Sequence, residues 1–245
     1  MNHLPIVPIL LPLIAGSVLL LSTRWSATAR HAFSLAAVVA QLVVAITLFA
    51  TVTDGPMLVY ALGGWAPPFG IVLVVDRLAA ALLVLTGIVA CASLLYAVAR
   101  DTETAAPRFH ALFQFQLLGI QGAFLTGDLF NLFVFFEVLL IASYALLLHG
   151  LAADRVRAAL HVVVLSLVGS ALFLLGVALI YGVAGTLNFA DLARVIPALT
   201  SADAPLARIG ALLLLVVFAL KSELLPLGFW LPRAYGAAAA AVAGI

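Results

Sequence analysis

Seven apolar stretches, each roughly 18–27 residues long, make up most of this 245-residue chain. An α-helix rises about 1.5 Å per residue, so each stretch can cross a bilayer hydrocarbon core of about 30 Å. No water is present there to satisfy a free backbone N–H or C=O. A chain with so many of these stretches has few folds open to it. The approximate limits are 4–22, 31–52, 71–98, 109–127, 130–149, 159–182 and 207–229. Composition agrees: 66% of residues are hydrophobic and 9% are charged, against about 25% charged in soluble domains. The expected fold is an all-α polytopic membrane protein. It would have about seven transmembrane helices, a truncated eighth and a broken seventh.

The connections are short. Gly127 and Asp128 alone join spans 4 and 5, and Asp128 suits the N-cap of the helix it precedes. The longest loop, about 183–206, predicts a short amphipathic surface helix near Asn188–Leu199. Arginines are unevenly placed. Loops after odd-numbered spans hold Arg24, Arg30, Arg100, Arg108, Arg155, Arg157 and Arg233, while those after even-numbered spans hold Arg194 and Arg208. Cytoplasmic loops are enriched in arginine and lysine, so the N-terminus is expected outside. The N-terminal segment has no basic n-region, and it reads as a first membrane helix rather than a removed signal peptide. After Tyr235 the alanine run resembles the start of an eighth helix, too short to span. The chain is therefore expected to be truncated.

Two charged residues lie deep in apolar runs. Lys221 is the only lysine in the chain. It lies about 13 residues into span 7, too deep for easy snorkelling. A charge at bilayer depth costs about 2.5–3.5 kcal/mol on insertion scales, and such residues typically face protein or water and serve transport. Pro226 follows five residues later and Pro232 closes the motif PLGFWLP. A proline lacks a backbone N–H and clashes with the preceding turn, so a helix break beside a buried ion is expected. Glu137 sits about eight residues into span 5, and Tyr144 shares its helical face seven residues on. Together these residues predict a proton or ion pathway. The plainer alternative is a static buried ion pair that only orients two helices.

Glu223 falls on the opposite side of its helix from Lys221, where it could line another surface or meet a partner subunit. His161, near the end of span 6, could pass protons or simply sit at the interface. His3, His31, His110 and His149 lie near span ends and carry no specific expectation. Asp76 and Arg77 read as structural residues at the outer edge of span 3. Ser170 and His161 could suggest a serine nucleophile, but nine residues of helix put them on different faces. No cluster has metal-ligand spacing, and neither a Walker motif nor GxGxxG occurs. The lone Cys91 excludes an intrachain disulfide. No metal or other cofactor is expected, and the scattered arginines argue against nucleic acid.

Three segments carry a resemblance to a known family. They are GDLFNLFVFFEVLLIASYALL, LVGSALFLLGVALIYGVAGTLNFADLA and FALKSELLPLGFWLPRAYGAAAAAVAG. They resemble the antiporter-like family, which comprises the proton-channel subunits of respiratory complex I and the D-type subunit of the multisubunit Mrp/Pha cation/proton antiporters. The segments MNHLPIVPILLPLIAG and LGGWAPPFGIVLVVDRLAAALLVLT are most similar to that D-type subunit. The resemblance covers essentially the whole chain. It implies that Glu137 and Lys221 are the fifth-helix glutamate and seventh-helix lysine of a first proton half-channel. It also implies an interrupted helix at Pro226 and a place for His161 on the polar axis. Members have about fourteen helices, including two inverted repeats. On that plan residues 1–106 are three leading helices, and 107–245 are a partial first repeat. The chain departs from the pattern at Glu223, where a small or apolar residue is usual, and at Gly236 and the alanines after it, where prolines are usual.

The expected function is that of a transporter subunit rather than an enzyme. It would be the N-terminal half of a bacterial inner-membrane antiporter subunit that exchanges Na+ or K+ for protons. Its expected partners are other subunits of a hetero-oligomeric complex, the transported ions and the lipid bilayer. The alternatives are a proton-pumping subunit of complex I and a non-transporting scaffold or assembly subunit.

Overall fold

The computed structural model describes residues 3–22, 24–100, 108–148, 153–222 and 224–228, without the side chains of 153–159 and 161. The protein is mostly helical, with eight α-helices among these residues. They are α1 (Val7–Leu21), α2 (Ala27–Asp54), α3 (Arg77–Arg100), α4 (Phe109–Leu125), α5 (Leu129–Leu147), α6 (Ala153–Ala184), α7 (Phe189–Val195) and α8 (Ala204–Lys221). Six segments are long and apolar enough to cross a membrane: Leu4–Leu21, α2, α3, α5, Val162–Ala184 of α6, and α8. Their outer faces stay apolar, as with Ile141 at 65% exposed and Leu212 at 60%. Lipid, unlike water, imposes no penalty on such a surface. The short α4 has 17 residues and carries His110, Gln114, Gln116 and Gln121.

Local chemistry sets the helix ends. Ser26 caps α2 by accepting from the Ala29 amide, and Asp128 caps α5 by accepting from Asn131 at 2.8 Å. Asp76 does the same for α3 through Ala79. Arg77 reaches back to the carbonyls of Val52 and Thr53 and ties α3 to the end of α2. These are the structural roles expected of Asp76, Arg77 and Asp128. Gly185 closes α6 with φ of 68°, and its amide donates a hydrogen bond to the Tyr181 carbonyl, a left-handed cap that glycine adopts without strain. The surface helix expected near Asn188–Leu199 is α7 followed by a short 3-10 turn, with Asn188 as its cap.

The all-α expectation needs one correction. Residues 58–75 form an antiparallel hairpin, β1 (Leu58–Ala61) and β2 (Val72–Val75), in the register Leu58↔Val75 to Ala61↔Val72. Span 3 therefore begins at Arg77 rather than at residue 71. The reason lies between the strands, where Gly63, Gly64, Pro67, Pro68 and Gly70 interrupt any helix. Gly63 and Gly64 take positive φ. Span 7 also stops early, because α8 ends at Lys221 and residues 225–228 form turns. The expected eighth helix lies outside the described residues.

At the hairpin end the backbone is stitched together around residues 126–128. Gly127 donates to the Val72 carbonyl at 2.9 Å, and Phe189 donates to the Gly127 carbonyl at 2.9 Å. Leu129 donates to Leu187 at 3.0 Å. The two-residue turn is thus held between β2 and the loop leading into α7. That clamp fixes how α4, α5 and α6 sit side by side.

Glycines then set the helix spacing. A Cβ on Gly210 would lie 2.8 Å from the Gly176 carbonyl oxygen, so α6 and α8 touch backbone to backbone. A Cβ on Gly119 would lie 2.6 Å from the Leu139 amide nitrogen, and one on Gly122 would enter the Phe135 ring. Small residues allow this close approach in membrane helix pairs.

Candidate functional site

Helices α5, α6 and α8 meet around a fully buried phenylalanine, Phe173. Its ring packs against Phe133, Phe136 and Phe218 at centroid distances of 5.6, 6.2 and 5.8 Å. Three of these four phenylalanines come from α5 and α6 and the fourth from α8. Edge and tilted geometries suit the ring quadrupoles. Beside this apolar wall the close backbones of α6 and α8 bring Lys221 and Ser166 to one cavity. A Cβ on Gly169 would lie 3.3 Å from Leu220, the neighbour of Lys221.

Lys221 and Glu137 arrive in the same neighbourhood from α8 and α5. The Lys221 ammonium lies 5.6 Å from the centre of the Phe136 ring, within cation–π range. Its Nζ is buried and has no hydrogen-bond partner among the described residues. It lies within electrostatic reach of the Glu137 carboxylate, but the two make no direct ion pair. Among the described residues the only ion pair is Arg194–Asp191, at the surface. The plainer expectation of a static Lys–Glu bridge is therefore not what the geometry contains.

Glu137 instead accepts a short hydrogen bond from the Ser170 hydroxyl. Tyr144, two turns along α5, interacts with the Ser166 hydroxyl and feels the Glu137 charge. Ser166 and Ser170 lie one turn apart on α6, and both are buried. A cavity of about 360 Å³ opens among Phe136, Leu140, Ser166, Phe218 and Lys221. Lys221 and Ser166 thus line a space large enough for several waters, and the Glu137 carboxylate with the Ser170 and Tyr144 hydroxyls lies behind them in the same neighbourhood. Such a set can accept, hold and hand on protons, and nothing in it suggests covalent chemistry.

The sequence-predicted residues divide cleanly. Glu137, Tyr144 and Lys221 come together. Pro226 lies in the turns at 225–228 just past the end of α8, as a helix break requires. His161 lies on α6, but its side chain is outside the described residues, as are Glu223 and Pro232. Sequence reasoning missed Ser166 as a lining residue and weighed Ser170 only as a nucleophile. The available signal was SLVGS, two hydroxyls four residues apart in an apolar span.

The Ser170 contact makes a testable contribution to stability. A hydrogen bond to a charged group is worth about 1.5–3 kcal/mol, so Ser170→Ala should lower the unfolding free energy by roughly that amount. Denaturant titration in mixed micelles measures it. No change would mean that the Glu137 carboxylate has another partner.

Residues 126–245 match the family described as NADH:quinone oxidoreductase/Mrp antiporter, TM. All of the chain aligns with the D-type subunit of a probable K(+)/H(+) antiporter from Rhizobium meliloti, at 48% identity and over 46% of that protein. It also aligns in full with the D-type subunit of a Na(+)/H(+) antiporter from Alkalihalophilus pseudofirmus, at 45% identity and over 49% of that protein. The chain spans about half the length of these relatives. Its fold superposes on a chain of the Mrp complex from a Dietzia species with a TM-score of 0.89 and 31% identity, over 99% of this chain and 45% of that one. With its apolar helices the chain is a membrane protein, and its residues 126–245, which hold Glu137, Tyr144 and Lys221, belong to the NADH:quinone oxidoreductase/Mrp antiporter transmembrane family.

Proposed function

We propose that this chain is part of a subunit of a monovalent cation/proton antiporter and forms one proton half-channel. The observation that carries this reading is the buried, unpartnered Lys221 ammonium. It lines a cavity shared with Ser166 and lies within electrostatic range of Glu137. A fold does not keep an unpaired buried cation for stability. The relatives' names support the choice of cargo, one naming K+ and the other Na+.

In this reading a proton reaches Glu137, and Ser170 holds the carboxylate in place. Lys221, sensing that charge change across the cavity, shifts its own proton or position. Ser166, on the lining, and Tyr144 behind it carry hydrogen bonds onward. The end of α8 at Lys221 gives the ammonium room to move, because α8 adds no further helical turn to clamp it. Residues 1–106 act as leading helices and 107–245 as part of the first repeat. The partners are other subunits of a hetero-oligomeric complex in a bacterial inner membrane.

The test is cation-dependent proton flux. Everted vesicles from an antiporter-deficient strain would carry the assembled complex that contains this chain. Added Na+ or K+ should release the proton gradient. Gradient formation that instead requires NADH and quinone would favour the second reading, a complex I pumping subunit, which the family description also covers. Absence of both, in a complex that assembles, would favour a scaffold.

The arginine bias supports an outside N-terminus. Reporter fusions at Arg30, Asp101 and Arg157 are expected to report cytoplasm, and fusions at Gly55 and Ser201 the outside. The reverse pattern would overturn this orientation.

A further inference from the structure

Outside the site described above, a second file of buried polar side chains lies between α2 and α4. His110 is fully enclosed, and neither of its ring nitrogens has a hydrogen-bond partner among the described residues. Its ring centroid is 5.0 Å from that of His31, whose Nε2 is buried and also unpartnered. His31 is only half-buried, so it joins the enclosed ring to the surface. Along α2, Ser34 Oγ and Arg30 Nε are buried and unpaired, although Arg30 Nη1 donates to the Trp25 carbonyl at 2.6 Å.

Deeper in, the file continues as a hydrogen-bonded relay. Gln114 Nε2 donates to the Ser34 carbonyl at 3.3 Å. Gln41 Nε2 donates to Gln114 Oε1 at 2.7 Å, and Gln121 Nε2 donates to Gln41 Oε1 at 2.6 Å. All three glutamines are buried. From His110 to Gln121 the helix rises about 16 Å, roughly half of the hydrocarbon core.

Five buried polar atoms in one place have no protein partner among the described residues: both ring nitrogens of His110, His31 Nε2, Ser34 Oγ and Arg30 Nε. Buried polar groups are almost always satisfied by protein or by ordered water. A polar enclosure of this kind fills with water, whereas truly empty cavities are apolar. A neutral imidazole needs one donor and one acceptor, and water supplies both. We propose that His31, His110 and Ser34, with the Gln114–Gln41–Gln121 relay behind them, form a water-filled proton-accepting site distinct from the Glu137–Lys221 cavity.

The charges around His110 decide how it would work. On α2 the facing groups are Arg30 and His31. Helix α1 contains no ionisable residue. Helix α3 turns Ala90, Leu94 and Ala97 toward this region, and its Arg100 lies on the Tyr96 ring instead. The fixed Arg30 charge opposes a lasting second charge on His110. A proton taken up there is passed on rather than stored.

Hydration is tested first, and that test does not depend on transport. The assembled complex in lipid nanodiscs is exposed to brief X-ray pulses in isotope-labelled water, and hydroxyl-radical oxidation is read by mass spectrometry. His110 should take up label at a rate comparable to half-buried His31. Phe113 and Phe173, equally buried but each in an apolar cluster, should stay unlabelled. Equal absence of label at His110 and Phe173 would overturn the proposal. The proton step rests on the transport reading and is tested with His110→Gln and His31→Gln in proteoliposomes. Glutamine keeps a polar side chain but cannot carry the imidazole proton. Label at the remaining histidine should persist while proton flux falls by roughly a hundredfold, the lower end of what a positioned proton carrier contributes. Unchanged flux in folded His110→Gln, or in His31→Gln if the first variant is unstable, would overturn the proton-accepting role. Lys221→Ala run alongside separates the cases: if it too keeps full flux, the transport reading fails and the hydration result stands.

Discussion

Lys221→Ala should abolish cation-driven proton flux while leaving the complex as stable as before or slightly more so. The two effects separate because, among the described residues, Lys221 Nζ has no hydrogen-bond partner and no ion pair to lose. Removing an unsatisfied buried cation removes a desolvation cost of several kcal/mol. What is lost is the cation–π contact with Phe136, worth about 0.5–2 kcal/mol, and the attraction to Glu137. Glu137→Ala should behave differently. It leaves the Ser170 hydroxyl without its acceptor and the ammonium without the negative charge that it senses. Flux should again vanish, and stability should fall by about 1–3 kcal/mol. Flux in everted vesicles and thermal unfolding of the purified complex measure the two quantities. Wild-type flux in Lys221→Ala at normal protein levels would sink the half-channel. A large loss of stability in Lys221→Ala would show that the lysine has a structural partner.

The second large effect belongs to a residue with no polar chemistry. Gly210→Leu should destabilise α8 on α6 by roughly 3 kcal/mol, the upper end of the range for overpacking. The first added atom would meet the Gly176 carbonyl oxygen at 2.8 Å, and backbone cannot step aside as a side chain can. The helix must lift, carrying Lys221 away from Ser166 and Phe136. Flux and stability should therefore fall together, unlike in Lys221→Ala. Gly182→Ala is the control, since nothing lies within 4 Å of its added methyl group. Alanine there should raise helix stability by about 0.5–1 kcal/mol. Thermal unfolding of the two variants side by side is the measurement, and an undisturbed Gly210→Leu would mean that the α6 and α8 backbones are not in contact.

Much of the site was legible because depth in an apolar span is a property of sequence. The cost of burying Lys221 or Glu137 follows from where they fall in a run, whatever they touch. Tyr144 was legible for a similar reason, since seven residues is close to two helical turns. The caps at Asp76 and Asp128 were also local, because a capping side chain bonds amides two or three residues away. The hairpin at 58–75 was misread as loop and helix because Val and Leu in IVLVV suit either state, and the pairing that decides comes from outside the segment.

The membrane class, the length of each apolar run and the two buried charges thus follow from the order of residues alone. Transfer energies and helical periodicity act along the chain, and these features need nothing else. The choice of Ser170 rather than Lys221 as the partner of Glu137 needs three helices in place. So does the ending of α8 on an unpaired Lys221, and so does the meeting of His31 and His110, unremarkable at two span ends, in a buried polar file. Those outcomes depend on the crossing of α6 with α8 and of α2 with α4. Backbone contacts at Gly176 and Gly210 fix the first, and side chains 73 and 80 positions apart in the chain bridge the second. Periodicity within one helix encodes no such meeting, because the partners come from separate helices.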